Sequence, residues 1–170
     1  MSDSPRPVRL DLEPVTYESW TPFGQVPGDF ETEHDNATVE FLWNDGGVNF
    51  IAHSNDEIPF TADGMAICEL LNRHDTHTQT LMPFDGDAYA VVAPAAVDFT
   101  QPEHFASVRA FLMPRHSVVN LARGTWHWGP YPLRAESLRI FNVQGRGFAE
   151  DNGIVWLARD HGVSYEVQIR

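Results

Sequence analysis

Short runs of β-forming residues, separated by turn formers at a spacing of roughly 8–12 residues, constrain the fold of this chain more than any other feature. Apolar and polar residues alternate in VEFLW and LRIFNV, which indicates strands with one buried face. The separators NDGG, FDGD, RGTWHWGPYP and AEDNG are rich in residues that favour turns. The pattern predicts an all-β sandwich or small barrel. The runs are TVEFLW (38–43), VNFIA (48–52), AICELL (66–71), TQTLMP (78–83), AYAVVAP (88–94), VRAFLM (108–113), SVVNLA (117–122), LRIFNV (138–143), IVWLA (154–158) and SYEVQI (164–169).

Few other elements are expected. Two windows favour helix, 15–20 and 101–106, the second with Thr100 as a possible N-cap and Pro102 in the first turn. Three prolines and several charges in residues 1–14 predict a loose N-terminal arm. A length of 170 residues predicts a single domain over 1–170.

Composition excludes several functional classes. A formal net charge of −13 argues against nucleic acid and anionic membrane surfaces as partners. The chain has no lysine, so a lysine Schiff base is excluded, and its one cysteine, Cys68, excludes an internal disulfide and a Cys-rich zinc site. Cys68 is expected to be buried in MAICELL. No long apolar window predicts a membrane helix, and the N-terminus does not resemble a secretory signal, so a cytoplasmic protein is expected.

Polar residues that could form a site lie in two segments. The first is NRHDTHTQTLMPFDG (72–86), in which Asn72 and His74 lie two apart and so share one face of a strand. The second is RGTWHWGPY (123–131), interpreted as a turn in which Trp126 and Trp128 flank His127. If the first pair faces into a barrel, a ligand site at the barrel mouth follows.

The spacing of these residues resembles the cupin motifs, which are His-x-His, three or four residues, Glu, six residues, Gly, and later Pro-x-Gly-x-x-His. On this chain Asn72 replaces the first histidine and Gln79 replaces the glutamate, while His74, Gly86 and His127 match the pattern. The resemblance implies a cupin-type double-stranded β-helix, or jelly-roll barrel. It also implies one divalent metal ion, zinc, manganese, nickel or iron, on His74, Gln79 and His127 if a metal is bound. His77 and His116 are alternative ligands, but each is expected at the surface or in a turn.

Within the cupins the chain resembles the ureidoglycolate lyases of purine and allantoin breakdown. The matching segments are Asn72-Arg73-His74 with Gln79 and the following Leu-Met-Pro-Phe-Asp-Gly, the strand AYAVVAP, Arg109-Ala110-Phe111, Asn120 to His127, and SWTPFGQV (19–26). The resemblance implies a carbon–nitrogen lyase that releases glyoxylate and urea from ureidoglycolate. His74, His127 and Gln79 would be catalytic, and Asn72, Arg73, Arg109 and Trp126 would bind substrate. A homodimer is expected because cupins often pair.

Two departures from that family keep other functions open. Asn72 stands where the family has glutamate, and the region 29–66 is acidic where the family has arginines. The acidic run DFETEHD (29–35) is interpreted as a solvated loop or as a lid over the barrel mouth. The alternatives are another cupin enzyme, an isomerase, hydrolase or dioxygenase acting on a small organic acid or sugar, and a non-catalytic cupin that binds a small molecule.

Overall fold

The structure, a computed structural model, describes residues 4–28, 41 and 45–169, and strands form most of its regular elements. The two short α-helices of these residues are α1 (Tyr17–Trp20) and α2 (Leu157–His161), and the 3-10 helices are Asn55–Glu57 and Pro102–Ser107. The strands are β1 (Arg6–Pro14), β2 (Gly24–Gln25), β3 (Gly46–Ser54), β4 (Ala66–Cys68), β5 (Leu70–Arg73), β6 (Gln79–Pro83), β7 (Ala88–Ala93), β8 (Arg109–Met113), β9 (Val119–Leu121), β10 (Trp126–Pro132), β11 (Ser137–Gly145), β12 (Gly153–Trp156) and β13 (Val163–Gln168).

The larger sheet curls back on itself. Its strand order is β12-β5-β10-β7-β8-β1-β13-β4, in which β1 lies parallel to both of its neighbours. The edge strand β4 continues into β5, near the opposite edge, after the single residue Glu69. This short connection brings the two ends of the sheet together around one hydrophobic cluster, which includes Leu71, Tyr89 and Tyr165.

A smaller sheet, ordered β2-β9-β6-β11-β3, covers the other face of the central strands. A second hydrophobic cluster fills the space between the sheets, with Leu81 and Ile140 from the small sheet and Val92 and Phe111 from the large one. Two facing, mostly antiparallel sheets that enclose a core form the double-stranded β-helix expected from the cupin resemblance. The all-β prediction is confirmed.

Strand β7 shows how the sequence builds both cores at once. All six of its residues are buried. Side chains alternate across a strand, so Tyr89 and Val91 pack into the first cluster, while Ala90 and Val92 pack into the second. A strand buried on both faces reads as a continuous apolar run, as AYAVVA does. This strand also lies next to the candidate site, because Val92 pairs with His127 on the neighbouring strand.

The expectation of a loose arm over residues 1–14 is wrong for Arg6–Pro14, which form β1. Residues 6–11 pair with β13, and residues 12–14 pair with β8. Val8, Leu10 and Leu12 pack against the first cluster. Apolar residues at alternate positions lie on one face of a strand and stabilise it when that face is buried. Here this stabilisation outweighs the destabilising effect of the prolines on the strand.

The interpretation of residues 123–131 as a turn holds for Arg123 and Gly124 but is wrong from Trp126 onward, because Trp126–Pro132 form β10. A register shift between Trp128 and Tyr131 accommodates the Gly129-Pro130 pair within the strand. Alternation therefore sends Trp126 and Trp128 into the first cluster and His127 to the opposite face.

Other expectations held in part. The helix near 15–20 is confirmed as α1, where Thr16 forms a capping box with Ser19. The window 101–106 is a 3-10 helix that Gln101, not Thr100, caps. The run AICELL divides into β4 and β5, and IVWLA ends in α2. The runs at 29–35 and 38–43 lie outside the described residues, apart from Phe41. None of the described helices is long and apolar enough to cross a membrane.

Candidate active site

Three histidines meet between the two sheets at the polar end of the second cluster. His127 lies on β10 opposite Asn72 of β5 and opposite Val92 of β7. His74 follows β5 directly, and its ring centroid lies 5.4 Å from that of His127. His77 stacks on His74 with ring centroids 4.6 Å apart and an interplanar angle of 22°. The three side chains are 9% (His127), 8% (His74) and 3% (His77) exposed.

The loop that carries His74 and His77 is held by Asp151, a residue that belongs to neither of the two sequence motifs. The carboxylate of Asp151 accepts the backbone N–H of Asp75 at 3.0 Å and that of Thr76 at 2.8 Å. It also accepts the hydroxyl of Thr76 at 2.6 Å. His77 is 3% exposed, so the expectation of a surface position is wrong, although His77 does lie in the connection between β5 and β6.

Each histidine has a protein oxygen beside Nδ1. The Nδ1 of His74 lies 2.6 Å from the carbonyl oxygen of Asp151, and that of His127 lies 3.1 Å from the carbonyl oxygen of Thr125. The Nδ1 of His77 lies 3.4 Å from Oδ2 of Asp151. A carbonyl oxygen only accepts hydrogen bonds, so Nδ1 of His74 and Nδ1 of His127 each carry a proton. In the neutral form of such a ring, the lone pair is on Nε2.

The cavity between these rings is lined by His74, His77, Gln79, Leu121, Ala122, Thr125 and His127. It is too narrow to admit a water-sized sphere. Two buried polar atoms at this cavity have no hydrogen-bond partner among the described residues, Nε2 of His77 and Oε1 of Gln79. The amide of Gln79 is fixed because its Nε2 donates to Oδ1 of Asn142 at 3.0 Å, and Asn142 in turn donates to Asn49 at 2.8 Å.

Burial favours the neutral form of His127 and His77. Burial, together with the neighbouring His74, lowers the pKa of His127 to about 4. Burial and His74 also lower the pKa of His77 below its ordinary value, although Asp151 opposes this. Burial raises the pKa of Asp151, but hydrogen bonds from Thr76 and Asp75 lower it further, so this group is a carboxylate at neutral pH. The site thus offers the imidazole lone pairs of His127 and His77 and the amide oxygen of Gln79.

This donor set fits a divalent first-row transition metal ion. Neutral imidazoles are good ligands for such ions. The unpartnered Nε2 of His77 and Oε1 of Gln79 both lie where a ligand would satisfy them. Bonds of about 2.0 Å from imidazole to an ion such as zinc suit a space too narrow for a free water molecule.

The arginine and tryptophan residues expected to bind substrate do not line this cavity. Arg73 lies on the opposite face of β5, 4.6 Å from the ring centroid of Trp126, and pairs with Asp75 at 3.1 Å. Trp126 belongs to the first hydrophobic cluster, where its Nε1 donates to the carbonyl oxygen of Val97. Their placement follows from alternation, since each is adjacent to a residue that faces the histidines.

Asn72 and Arg109 do not line the cavity either. Asn72 lies directly opposite His127 and is half-buried. Arg109 of β8 lies opposite Val92 of β7, so β7 lies between Arg109 and the strand that carries His127. Two of the guanidinium nitrogens of Arg109, Nε and Nη2, donate to the carboxylate of Glu13.

A second cavity of about 220 Å³ lies beside the histidines, lined by Gly47, Val48, Asn49, Gln144, Gly145, Arg146 and Phe148. Gly145 separates it from the cluster, since a Cβ at this glycine would lie 2.9 Å from Cγ of His77. Asn49 joins the two cavities through its hydrogen bond to Asn142. No spacing in the sequence indicated this region, because segments 47–49 and 144–148 line it and neither belongs to the two motifs. Asp151 likewise lies outside both motifs.

The chain matches proteins of one family along most of its length. The sequence model for ureidoglycolate lyase matches residues 7–161. Ureidoglycolate lyase of Brucella anthropi is 30% identical over 158 residues, which cover 84% of this chain and 86% of that protein. Ureidoglycolate lyase of Burkholderia cepacia is 30% identical over 160 residues, which cover 84% and 82%.

Among solved structures, oxalate decarboxylase from Bacillus subtilis at pH 4.6 aligns with a TM-score of 0.31 and 18% identity. The alignment covers 80% of this chain and 38% of that chain. The two sequence relatives match over 86% and 82% of their length, and the family match over residues 7–161 includes every histidine of the cluster. The chain therefore belongs to the ureidoglycolate lyase family.

Proposed function

We propose that this chain is a carbon–nitrogen lyase that cleaves ureidoglycolate, or a similar small hydroxy acid, to glyoxylate and urea. The match to the ureidoglycolate lyase family over residues 7–161 carries the proposal. The buried histidine cluster supports it, because it supplies the groups that this reaction needs. The place of the reaction in allantoin and purine breakdown follows from the same substrate.

The substrate is a hemiaminal, in which one carbon bears a hydroxyl group and the urea nitrogen. Cleavage moves the hydroxyl proton to a base, forms the carbonyl of glyoxylate, breaks the carbon–nitrogen bond and returns a proton to the departing nitrogen. No net proton is consumed, so one histidine that first accepts and then donates is sufficient.

We assign this proton transfer to Nε2 of His127. Thr125 holds the proton on Nδ1, so Nε2 offers a lone pair. A pKa of about 4 keeps the free imidazole neutral at pH 7. The carboxylate of a bound substrate would raise that pKa, because a nearby negative charge favours the imidazolium form. Binding the anion therefore makes His127 a stronger base at the moment it is needed.

We assign orientation of the substrate to Gln79 and Asn72. The amide of Gln79 is fixed by Asn142, and its Oε1 remains without a partner among the described residues. Asn72 lies opposite His127 and offers a second amide near the same ring. His74, Gln79 and His127 are the residues that the cupin pattern connects with a metal ion, and a bound ion would polarise the oxygens of the substrate.

The substrate carboxylate also needs a cation, and we propose Arg146. This residue lines the 220 Å³ cavity beside His77, and its side chain is 70% exposed. Its contacts are long, 3.5 Å to Asp45 and 3.4 Å to the carbonyl oxygen of Gly46. Arg73 and Arg109 are instead held by Asp75 and Glu13. A guanidinium with weak contacts is free to bind a carboxylate with two parallel hydrogen bonds.

Replacement of Arg146 by glutamine is expected to raise KM for ureidoglycolate by about 10–100-fold, because a hydrogen bond to a charged group contributes about 1.5–3 kcal/mol. Steady-state kinetics at fixed pH and ionic strength provide the measurement. The matched control is Arg9→Gln, since Arg9 is also exposed, lies 3.8 Å from Glu166, and is on β1, which does not carry the histidines. Equal KM values for the two variants would exclude Arg146 as the carboxylate group.

The activity itself is tested by glyoxylate release. Purified protein, supplied with zinc, manganese, nickel or ferrous ion in separate reactions, is expected to release glyoxylate and urea in equal amounts from ureidoglycolate. Glyoxylate is followed as its phenylhydrazone against a protein-free reaction. Release no faster than in the protein-free reaction with all four ions would contradict the proposed function.

We further propose that residues 1–170 form one domain and that two copies associate. Strand β7 contributes to both hydrophobic clusters, so the two clusters belong to one folded unit. Val48 and Phe50 of β3 are exposed, and β3 is an edge strand of the small sheet among the described residues. An apolar sheet edge is a suitable surface for pairing with a second copy.

A further inference from the structure

We propose that Nε2 of His74, Nε2 of His77 and Oε1 of Gln79 bind one divalent transition metal ion, and that Asp151 positions the two histidines without binding the ion. This inference extends the proposed function. It rests on the proposed function only for the role of the ion in catalysis. It differs from the cupin pattern in two ways. His77 takes the place of the missing histidine at Asn72, and His127 remains free for proton transfer.

The first line of evidence is the hydrogen bonding behind the histidines. Histidines that bind a metal almost always donate their other ring nitrogen to a carbonyl or carboxylate oxygen, which fixes the ring and its tautomer. Asp151 supplies both kinds of oxygen, its carbonyl to Nδ1 of His74 at 2.6 Å and its carboxylate beside Nδ1 of His77 at 3.4 Å. One residue thus supports both rings.

The second line of evidence is the direction of the opposite nitrogens. The rings of His74 and His77 are nearly parallel, and both direct Nδ1 toward Asp151. Because each Nδ1 lies beside Asp151, each Nε2 lies on the part of its ring that is turned away from Asp151. The cavity lined by both rings and Gln79 is where the unpartnered Nε2 of His77 and Oε1 of Gln79 occur. Unpaired buried polar atoms are costly, and an ion would satisfy both at once.

The third line of evidence concerns Asp151, whose carboxylate also lies within 4.8 Å of donor atoms of His74 and His77. Its oxygens already accept three hydrogen bonds, from the backbone of Asp75 and from the backbone and hydroxyl of Thr76. An ion on this side would also have to displace the proton between His74 and the Asp151 carbonyl. The carboxylate therefore holds the loop by hydrogen bonds, and its role is to position His74 and His77.

The test uses purified full-length protein that has been stripped with a chelator and titrated with Co²⁺, whose visible spectrum reports its ligands, and with Zn²⁺ by calorimetry. One ion per chain is expected to bind. His77→Asn is expected to weaken binding by at least about 100-fold, because it removes a ligand. Asp151→Asn is expected to weaken binding by about 10–100-fold with an unchanged Co²⁺ spectrum, because supporting residues change affinity and leave the ligands in place.

The matched control is His116→Asn. His116 is an exposed histidine with a φ of 66°, a backbone conformation that asparagine tolerates. This control is expected to bind as the wild type does. His127→Asn is expected to keep its affinity for Co²⁺ while losing turnover, which separates the metal ligands from the proton-transfer residue. Glyoxylate release by the stripped protein is measured in parallel, so a failure of metal binding is distinguishable from a failure of the lyase activity.

If near-UV circular dichroism shows that His77→Asn does not fold in the absence of metal, the proposal is tested on the wild-type protein alone. Histidine ¹⁵N spectra of the wild type, recorded with and without Zn²⁺, are expected to show metal-bound shifts for Nε2 of His74 and His77 but not of His127. The proposal is wrong if Nε2 of His77 is unmoved. It is equally wrong if wild-type protein binds neither Co²⁺ nor Zn²⁺ at millimolar concentration, or if Asp151→Asn alters the Co²⁺ spectrum.

Discussion

Replacement of His127 by asparagine is expected to lower kcat/KM for ureidoglycolate by about 10³-fold, the middle of the range for a group that transfers a proton in the transition state. Asparagine is the chosen substitute because its amide N–H occupies the place of Nδ1–H and still donates to the carbonyl oxygen of Thr125. The variant therefore loses the Nε2 lone pair and little else. Steady-state kinetics of glyoxylate release provide the measurement.

The control for this experiment is His104→Asn, which changes a histidine on the 3-10 helix Pro102–Ser107, away from the cluster. Its activity is expected to match that of the wild type. The pH profile adds a second criterion. Because the substrate carboxylate raises the pKa of His127, the pH dependence of kcat is expected to differ from that of kcat/KM. Activity of His127→Asn within tenfold of the wild type would remove His127 from the mechanism.

The free energy of unfolding is expected to fall by about 3 kcal/mol as pH is lowered from 6.5 to 4, through His127 alone. An unfolded histidine has a pKa of about 6.5, whereas folding lowers that of His127 to about 4. Between these values the unfolded chain binds a proton that the folded chain does not, so stability rises with pH and is fully present above 6.5. Each pKa unit corresponds to about 1.4 kcal/mol.

Urea denaturation at pH 7.5, 6.5, 5.5 and 4.5, in the presence of a chelator, measures this dependence. His127→Asn is expected to be less stable than the wild type at pH 7.5 and to lose less stability toward pH 4.5. The lowered pKa of His77 acts in the same direction and remains in both proteins. Carboxylates with lowered pKa values, such as Asp151, contribute to both proteins alike at lower pH. Parallel curves for the two proteins would contradict the assignment of a buried, neutral His127.

Local pattern predicted much of the fold, because the signal needed was contained in a few consecutive residues. Alternation in LRIFNV marked β11, and the continuous apolar run AYAVVA marked the doubly buried β7. The burial of Cys68, expected from its apolar neighbours, is confirmed, and burial raises the pKa of its thiol. The same reasoning missed β1, where the prolines obscured the alternation of Val8, Leu10 and Leu12.

The sequence by itself determined the β-rich architecture through periodicity, and the resemblance of two segments to the cupin motifs paired His74 with His127. Only the tertiary structure decided the composition of the site. Asp151 lies 77 residues from His74, and its hydrogen bonds turn His77 inward. Strand alternation turned Arg73 outward onto Trp126, while the end of β11 brought Arg146 beside the histidines. Contacts between distant segments depend on how the sheets curl and pair, and no local pattern of residues encodes that geometry.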